Sequence, residues 1–179
     1  TEATKWYRMA AEQGDADAQF KLGTRYATGR GVPKNDAESA RWLRRAAEQG
    51  HASAQSALGA DYASGTGVPQ SDTEATKWYR KAAEHGDADA QAQLGLMYKT
   101  GRGVTQDYAE AVRLFRMAAE QRDAVGQLLL GQMYVDGLGL PRDDSTAVIW
   151  YRKAARQGNA AAKNALDEMR RAGITLVDS

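Results

Sequence analysis

The chain of 179 residues contains no cysteine, only two histidines and only three prolines. The absence of cysteine excludes disulfides, thiol catalysis and thiolate metal sites. No uninterrupted apolar run approaches the ~20 residues that a membrane-spanning helix needs, so direct membrane insertion is not expected. The formal net charge is only +1, so no global field attracts the chain to nucleic acid.

The chain repeats itself with a period of thirty-six residues and no insertion or deletion. All three prolines share one column of the repeat, and all but one of the glycines fall in four columns. The tryptophans share a single column: Trp6, Trp42, Trp78 and Trp150. A fixed period of this size predicts stacked supersecondary units, each burying its core against its neighbours.

The period divides the chain into seven segments. They are a half repeat (1–14), four full repeats (15–50, 51–86, 87–122 and 123–158), a C-terminal capping helix (159–173) and a tail (174–179). The half repeat leaves Trp6 and Tyr7 partly unpaired. This favours the interpretation that the chain is the C-terminal part of a longer protein. Asp167 and Arg170 replace the usual Gly and Tyr, so the last helix is expected to be a polar cap.

The repeat at 87–122 shows how each copy is expected to fold. Asp87 is a suitable N-cap, and Gly101 fits the left-handed residue that ends a helix. Between them runs an apolar stripe at three- and four-residue spacing: Ala88, Gln91, Leu94, Gly95 and Tyr98. After a Gly-Xaa-Gly-Val loop, Asp107 and Glu110 have the spacing of a capping box. Each repeat is therefore predicted to be a helix A, a loop and a helix B.

A glycine stands at the ninth position of every full repeat, at 23, 59, 95 and 131. Glycine inside a helix costs about 1 kcal/mol relative to alanine, so its recurrence predicts close backbone approach by a neighbouring helix. The tryptophan column is expected to supply bulk between repeats. We interpret both columns as packing and not as a site.

The repeated pattern resembles a known family. Ala-Xaa-Xaa-Leu-Gly-Xaa-Xaa-Tyr-Xaa-Xaa-Gly-Xaa-Gly-Val-Pro, then Ala-Xaa-Xaa-Trp-Tyr-Arg-Lys-Ala-Ala-Glu-Xaa-Gly, resembles the Sel-1-like repeat, a relative of the tetratricopeptide repeat. The resemblance runs to about Gly173 and departs at Thr105, Leu114 and Arg122. It implies an all-α, right-handed α/α superhelical solenoid that acts as an adaptor or scaffold, with helix A lining a concave groove. Because bacterial members are often periplasmic or secreted, we favour that location over the cytoplasm.

Motifs of catalysis are incomplete. The Gly-Xaa-Gly loops follow helices and lack the third glycine of a dinucleotide-binding fingerprint. Lys99-Thr100-Gly101 matches one β-lactamase motif, but the chain has no Ser-Xaa-Xaa-Lys partner for it. His51 and His85 have no metal-ligand spacing and are interpreted as turn residues on a solvated edge. We predict no cofactor, no metal and no enzyme activity.

A column of arginines on helix B could form a basic ladder for nucleic acid: Arg8, Arg44, Arg80, Arg116 and Arg152. Glu48, Glu84 and Glu120 lie four residues after their arginines, a spacing that permits local pairing. The ladder is therefore expected to be neutralised, and nucleic acid is not an expected partner.

The positions of helix A that vary from copy to copy on the expected open face are the candidate partner-binding residues. They are Asp17, Phe20, Thr24, Ser56, Asp89, Leu96, Lys99, Val125, Leu128, Gln132, Val135 and Asp136. Leu96, Val125, Leu128 and Val135 would form an apolar patch suited to anchor a peptide. The alternative is that they pack under the fifth helix A. Tyr108, outside the framework columns, is a possible loop contact.

The sequence thus predicts a non-enzymatic scaffold or adaptor that binds a peptide or protein partner in its groove, from a bacterial regulatory or envelope protein. Two alternatives remain open. One is an immunity-type protein that neutralises a toxin, and the other is a hydrolase acting on a cell-wall-like substrate.

Overall fold

A computed structural model describes residues 2–174 of the chain. Those residues form ten α-helices and no strand. The helices are α1 Glu2–Glu12, α2 Ala16–Thr28, α3 Asp36–Glu48, α4 Ala52–Ser64, α5 Asp72–Glu84, α6 Ala88–Thr100, α7 Tyr108–Glu120, α8 Ala124–Asp136, α9 Asp144–Arg156 and α10 Ala160–Arg171. Even-numbered helices are helix A of a repeat and odd-numbered helices are helix B. The predicted fold class, an all-α array of helix-turn-helix repeats, is confirmed.

The chain divides into two compact units within α6. The first unit ends at Ala90, and the second begins at Gln91. The two are described separately below.

Side-chain caps begin the helices at the positions that the sequence indicates. The Asp15 carboxylate accepts from the Ala18 amide at 2.6 Å, and the Asp87 carboxylate accepts from the Ala90 amide at 2.8 Å. Helix A ends at a glycine in the left-handed conformation, as at Gly29 with φ 69°. Each such cap satisfies backbone groups that the helix itself leaves without partners.

Only half of the predicted capping box forms at helix B. The Asp107 carboxylate accepts from the Glu110 amide at 3.0 Å, as expected. The Asp107 amide, however, donates to the Tyr98 carbonyl at 3.0 Å, and the Glu110 side chain pairs with Arg113 at 2.7 Å. The end of helix A has already engaged the amide that a capping box would satisfy. The other loops repeat this bond: Asn35 to Tyr26, Ser71 to Tyr62, and Asp143 to Tyr134.

The ninth-position glycines admit a bulky side chain from helix B of the same repeat. A Cβ atom on Gly59 would lie 2.7 Å from the Tyr79 ring, and one on Gly131 would lie 2.7 Å from the Tyr151 ring. Neither distance is compatible with alanine unless the ring moves. A neighbouring helix does approach closely, but the prediction of a backbone contact was wrong, because the nearest group is a side chain of helix B.

Each unit buries its own apolar clusters. In the first, Leu22 and Trp42 pack with Ala11 and Ala18. In the second, Phe115, Leu130 and Met133 form the centre of the α7–α8 cluster, and all three are fully buried. The tryptophan column behaves as expected, because Trp42 is buried whereas Trp6, in the half repeat, is 64% exposed.

A column of buried glutamines links the repeats by hydrogen bonds. Gln55 Nε2 donates to the Ala47 carbonyl at 3.0 Å, and Gln127 Nε2 donates to the Ala119 carbonyl at 3.2 Å. The Oε1 atom then accepts from the residue that ends helix B of its own repeat, as Gln127 does from Gln157 at 2.9 Å. The sequence analysis placed Gln91, a member of this column, in an apolar stripe. That interpretation was wrong, because the side chains of this column form hydrogen bonds between repeats. The position is buried, but it holds a hydrogen-bonded glutamine, and we call each such glutamine with its two hydrogen bonds a glutamine rung.

Arg8 and Arg44, two of the helix B arginines, bond to a tyrosine of the following helix A. Arg8 donates to the Tyr26 hydroxyl at 2.7 Å, and Arg44 donates to the Tyr62 hydroxyl. The Arg44 guanidinium also lies 5.6 Å from the centre of the Tyr62 ring. The phenol of helix A is a partner that helical spacing within helix B cannot reveal.

The turn between α7 and α8 departs from the others. Arg122 occupies the left-handed region with φ 66°, the only described non-glycine residue to do so. Four residues later, a Cβ on Gly126 would lie 2.6 Å from the Ala118 Cβ, so only glycine fits there. Because a side chain in this conformation is sterically unfavourable, the backbone at Arg122 is strained. Of the predicted tail, only Ile174 is described, and the remainder lies outside the described residues.

Candidate functional site

The first unit contains a cavity of about 440 Å³ on its helix A side. It is bounded by α2, α3, α4 and the start of α6. The lining residues are Phe20, Thr24, Ala27, Ser39, Leu43, Ser53, Ser56, Ala57, Ala60, Asp61, Asp87 and Asp89. Four of the predicted groove residues, at positions 20, 24, 56 and 89, are thus brought to one cavity.

Three polar residues in this cavity have no counterpart in the other repeats. Ser39 stands in a column that is otherwise alanine, as at Ala75 and Ala111. Asp61 stands in a column that becomes methionine in the second unit. Ser56 donates to an Asp89 oxygen at 3.4 Å. The framework of the repeat does not require these side chains, so the cavity carries residues particular to this copy.

The Asp61 carboxyl is the most perturbed acid of the site. Burial, with a further contribution from the nearby Asp36 carboxylate, raises the pKa of Asp61 to about 6. No described group donates a hydrogen bond to its carboxylate. An acid placed where its charge is poorly compensated is a frequent property of functional sites.

Phe20 is supported from behind by His51. The two rings stack with centroids 4.7 Å apart, and His51 Nε2 lies 3.2 Å from an Asp17 oxygen. His51 Nδ1 accepts from the Ala54 amide at 3.2 Å and so caps α4. The interpretation of His51 as a solvated turn residue was wrong. It holds two predicted groove residues, Asp17 and Phe20, at the edge of the cavity.

A second cavity, of about 530 Å³, lies on the other side of Phe20 and Thr24. Its charged residues are all basic: Lys21, Arg25 and Arg30. Two of them stand over the ring of Tyr7, Arg25 at 5.0 Å and Lys21 at 5.5 Å from its centroid. The first unit therefore places an acidic cavity and a basic cavity side by side.

The second unit groups the remaining polar candidates. Lys99 Nζ lies 3.8 Å from an Asp136 oxygen, and Gln132 donates to Asp136 at 3.4 Å. These contacts join α6 to α8 on the helix A side. The three residues are partly satisfied by one another, which distinguishes them from the cavity acids of the first unit.

The four residues of the predicted apolar patch differ in burial. Val125 is 37% exposed, whereas Leu96, Leu128 and Val135 are half-buried. Leu128 and Val135 pack against the cluster that α9 and α10 form. For these two residues the contacts agree with the alternative of packing under the fifth helix A, while Val125 remains on the surface.

Two further candidates have local roles in the structure. Tyr108 is half-buried against the α7–α8 cluster. His85 is exposed, and its Nδ1 atom lies 3.1 Å from Gln55 Oε1, where the other repeats use glutamine. His85 is thus an exposed residue at the end of α5, in agreement with its interpretation as a turn residue, and it also bonds to the buried glutamine.

The sequence analysis missed Asp61 and Ser39. It examined the five helix A positions expected to face a groove, and Asp61 is at the eleventh position while Ser39 lies on helix B. The signal was nevertheless present, because Ser39 interrupts a column of alanines and Asp61 stands in a column that is methionine from position 97 onward. Residues that differ from the other repeats at inward-facing positions were as informative about the site as those that differ on the open face.

Two classes of feature are not found in residues 2–174. No cluster of three histidine, aspartate or glutamate side chains there could hold a metal ion. No helix in that range is long and apolar enough to cross a membrane.

Comparisons with known proteins agree with this architecture. The family model of the Sel1 repeat matches residues 1–15, 16–51, 52–87, 88–123 and 124–159. A Sel1 repeat protein from Oxalobacter formigenes is 42% identical with a TM-score of 0.90, over 99% of this chain and 70% of that one. A protective antigen present in uropathogenic Escherichia coli strains is 45% identical with a TM-score of 0.89. This chain is covered to 95% in that match but spans only 36% of the antigen.

More distant structures share the fold alone. An immunity protein from Pseudomonas aeruginosa is 23% identical with a TM-score of 0.59, over 89% of this chain and 59% of that one. No curated protein matches the chain. The family model spans nearly the whole sequence, and the two solved structures at more than 40% identity have the same repeat fold. The chain belongs to the Sel1 repeat family.

Proposed function

We propose that this chain is a non-catalytic binding module that holds a peptide or protein partner on the helix A side of its repeats. Sel1 repeat proteins generally mediate protein–protein interaction, and this fits an array whose helix B columns are used for packing. The observation that carries the proposal is the cavity of the first unit. It is concave, about 440 Å³ in volume, and lined by residues that the repeat framework does not require.

The side chains that might have suggested catalysis are occupied in structural roles. His51 caps α4 and stacks on Phe20, and His85 bonds to Gln55. Neither lies in a nucleophile–base–orienter arrangement of the kind that covalent catalysis uses. A binding function is therefore favoured over the hydrolase alternative.

In the second unit the proposed contact is Val125, at the start of α8, and the Lys99–Asp136 pair at the end of α8 is a second candidate contact. Val125 is the exposed member of the apolar patch, so a partner can cover it without any change in the core. The bacterial envelope or regulatory setting remains part of the proposal, as does neutralisation of a toxin, for which likeness of fold is the only support.

A selection from a random dodecapeptide display library, with the purified chain as bait, tests the proposal. Enriched peptides are expected to bind in the micromolar range by calorimetry. Ala60→Trp fills the cavity from an exposed lining position and is expected to weaken binding at least about tenfold. Ala161→Trp, at an exposed position on α10, is the matched control and should bind as the wild type does.

Enrichment of no peptide above the library background would contradict the proposed function. Peptides that bind equally well to wild type and to Ala60→Trp would place the partner elsewhere. Val125→Asp then reports on the second unit, because that substitution is on the surface and should leave the melting temperature unchanged.

A further inference from the structure

The cavity of the first unit is negatively charged and lacks its own cation. Three of its twelve lining residues are acids, Asp61, Asp87 and Asp89, and none is lysine, arginine or histidine. Asp87 and Asp89 each accept a hydrogen bond, from the Ala90 amide and from Ser56 respectively. The Asp61 carboxylate accepts none, and no cation lines the cavity, so the negative charge on the wall is without an internal counterion.

A neighbouring carboxylate reinforces that charge. Asp36, at the start of α3, raises the pKa of Asp61 in the same direction as burial does. Asp36 has its own exposed partner in Lys34, at 3.5 Å. That cation is among neither the cavity-lining residues nor the groups that act on Asp61. The protein thus keeps a half-buried carboxylate in a site whose nearest charges repel it.

Ser39 provides an independent indication of a ligand. The residue is 2% exposed, lines the cavity, and replaces the alanine of the other repeats. Its amide is bonded within the helix to the Asn35 carbonyl, but its hydroxyl has no hydrogen-bond partner among the described residues. Although the residue as a whole is buried, its hydroxyl oxygen is open to the cavity and is therefore available to a group that enters it.

The remaining walls suit an aliphatic stem. Leu43, Ala57 and Ala60 present methyl and methylene groups, and the Phe20 ring stands at the edge. Lysine and arginine side chains bury their stems against such surfaces and place the charged head at an acceptor. The described residues offer no cluster that could hold a metal ion, so an organic cation fits this site better.

We infer that this cavity binds the lysine or arginine side chain of a basic partner segment, with the Asp61 carboxylate as its counterion and the Ser39 hydroxyl as a further acceptor. The inference rests on the proposed function and names the partner's chemistry at that site. The basic cavity beyond Phe20 would orient the bound segment, because an acidic group of the same segment would be attracted there.

Two matched peptide pairs test the inference. The first pair is acetyl-Ala-Phe-Lys-Phe-Ala-amide and its counterpart with norleucine, which keeps the stem and removes the charge. The second pair replaces arginine by citrulline in the same way. Each peptide is titrated into the 15N-labelled chain, and the amide shifts of residues 53–61 report on occupancy of the cavity.

The charged member of each pair is expected to bind at least about tenfold more tightly than its neutral counterpart. Asp61→Asn is expected to remove that difference by weakening the binding of the charged peptides. Asp167→Asn removes one exposed carboxylate on α10 and is the control for net charge. Circular dichroism confirms that the variants remain folded, and Ser39→Ala provides a second variant at the cavity.

The outcomes separate this inference from the proposed function. Equal affinity for the charged and neutral peptides, or an Asp61→Asn variant that still prefers the charged ones, overturns the inference. If display-selected peptides lose affinity with Ala60→Trp but carry no lysine or arginine, the binding function stands and the choice of a basic partner is wrong. If no display-selected peptide binds at all, the proposed function itself fails.

Discussion

The eleventh position of the repeat places the same backbone site of helix A in two different environments. In the first unit it is Asp61, on the wall of an open cavity, with a raised pKa. In the second unit it is Met133, fully buried in the α7–α8 cluster. A fixed period determines where a side chain lies along the helix, but it does not determine whether that site is filled. Where the neighbouring residues are small, as with Ser56 and Ala57, a cavity is left and a charge is tolerated.

The largest expected effect on stability comes from placing an aspartate, as at position 61 of the first unit, at the equivalent position 133 of the second unit. Met133→Asp should destabilise the chain by about 3–5 kcal/mol, because an unpaired carboxylate would replace a side chain with no exposed surface. Thermal unfolding followed by circular dichroism measures the loss. The reciprocal Asp61→Met should fold at least as stably as the wild type. A Met133→Asp protein that melts at the wild-type temperature would show that the two sites are equivalent.

The glutamine rungs are expected to behave alike in both units. Gln55→Ala and Gln127→Ala should each cost about 1–3 kcal/mol, because each removes two hydrogen bonds, one to a buried alanine carbonyl and one to the residue that ends helix B. Urea denaturation gives the two free energies of unfolding. A much smaller loss for Gln55→Ala would mean that His85 makes a weaker rung than glutamine does.

The charge at Asp61 should reduce stability at neutral pH. Its pKa is 3.8 in the unfolded chain and about 6 in the folded protein, so the folded state binds more protons between these values. Asp61→Asn should therefore be more stable than wild type by about 1 kcal/mol above pH 6, a value discounted for the solvent that reaches the cavity. The gain should shrink as the pH falls from 6 toward 3.8 and disappear below 3.8, where wild-type Asp61 is protonated in both states.

Melting temperatures of both proteins between pH 4 and pH 8 measure this difference. Asp36→Asn is the control, since it removes the smaller cause of the shift and should give a smaller gain in the same direction. A pH-independent difference between wild type and Asp61→Asn would contradict the assignment. A stabilising substitution that also abolishes binding of a basic peptide would show that the charge is retained for function.

The smallest expected effect concerns the turn where Arg122 replaces glycine. Arg122→Gly should raise stability by about 0.5–1 kcal/mol, since glycine adopts the left-handed conformation without the steric penalty. Gly158→Arg makes the opposite change at the next turn, where a Cβ would meet no atom within 4 Å, and should lower stability by a similar amount. Chemical denaturation of both variants checks the sign.

The architecture was readable from the sequence because identical columns recur in every copy. Each recurring residue meets a requirement that one repeat suffices to explain. Gly59 permits a close contact, Trp78 supplies bulk, and Asp107 caps a helix. The Arg122 substitution was also readable, because only one backbone conformation is used at that column.

The interactions that the sequence did not reveal join different helices. The hydroxyl that holds Arg44 belongs to Tyr62, and the ring that holds Phe20 belongs to His51. The cavity itself is a property of several helices together, so no single column indicates it. Asp61 was overlooked for the same reason, since its position on the helix appears internal until the small residues opposite are known.

The glutamine rungs have a consequence for how such chains change length. Each rung takes its acceptor carbonyl from the preceding copy and its last donor from its own copy, as Gln127 does from Ala119 and Gln157. A duplicated copy of one period therefore already contains the glutamine, the residue that donates to it, and the alanine carbonyl that the next glutamine needs. It can be inserted into the array without a compensating substitution. Gene duplication and unequal recombination can add or delete whole copies without disturbing this joint. Residues such as Asp61 can then diverge in one copy while its duplicates keep the array intact.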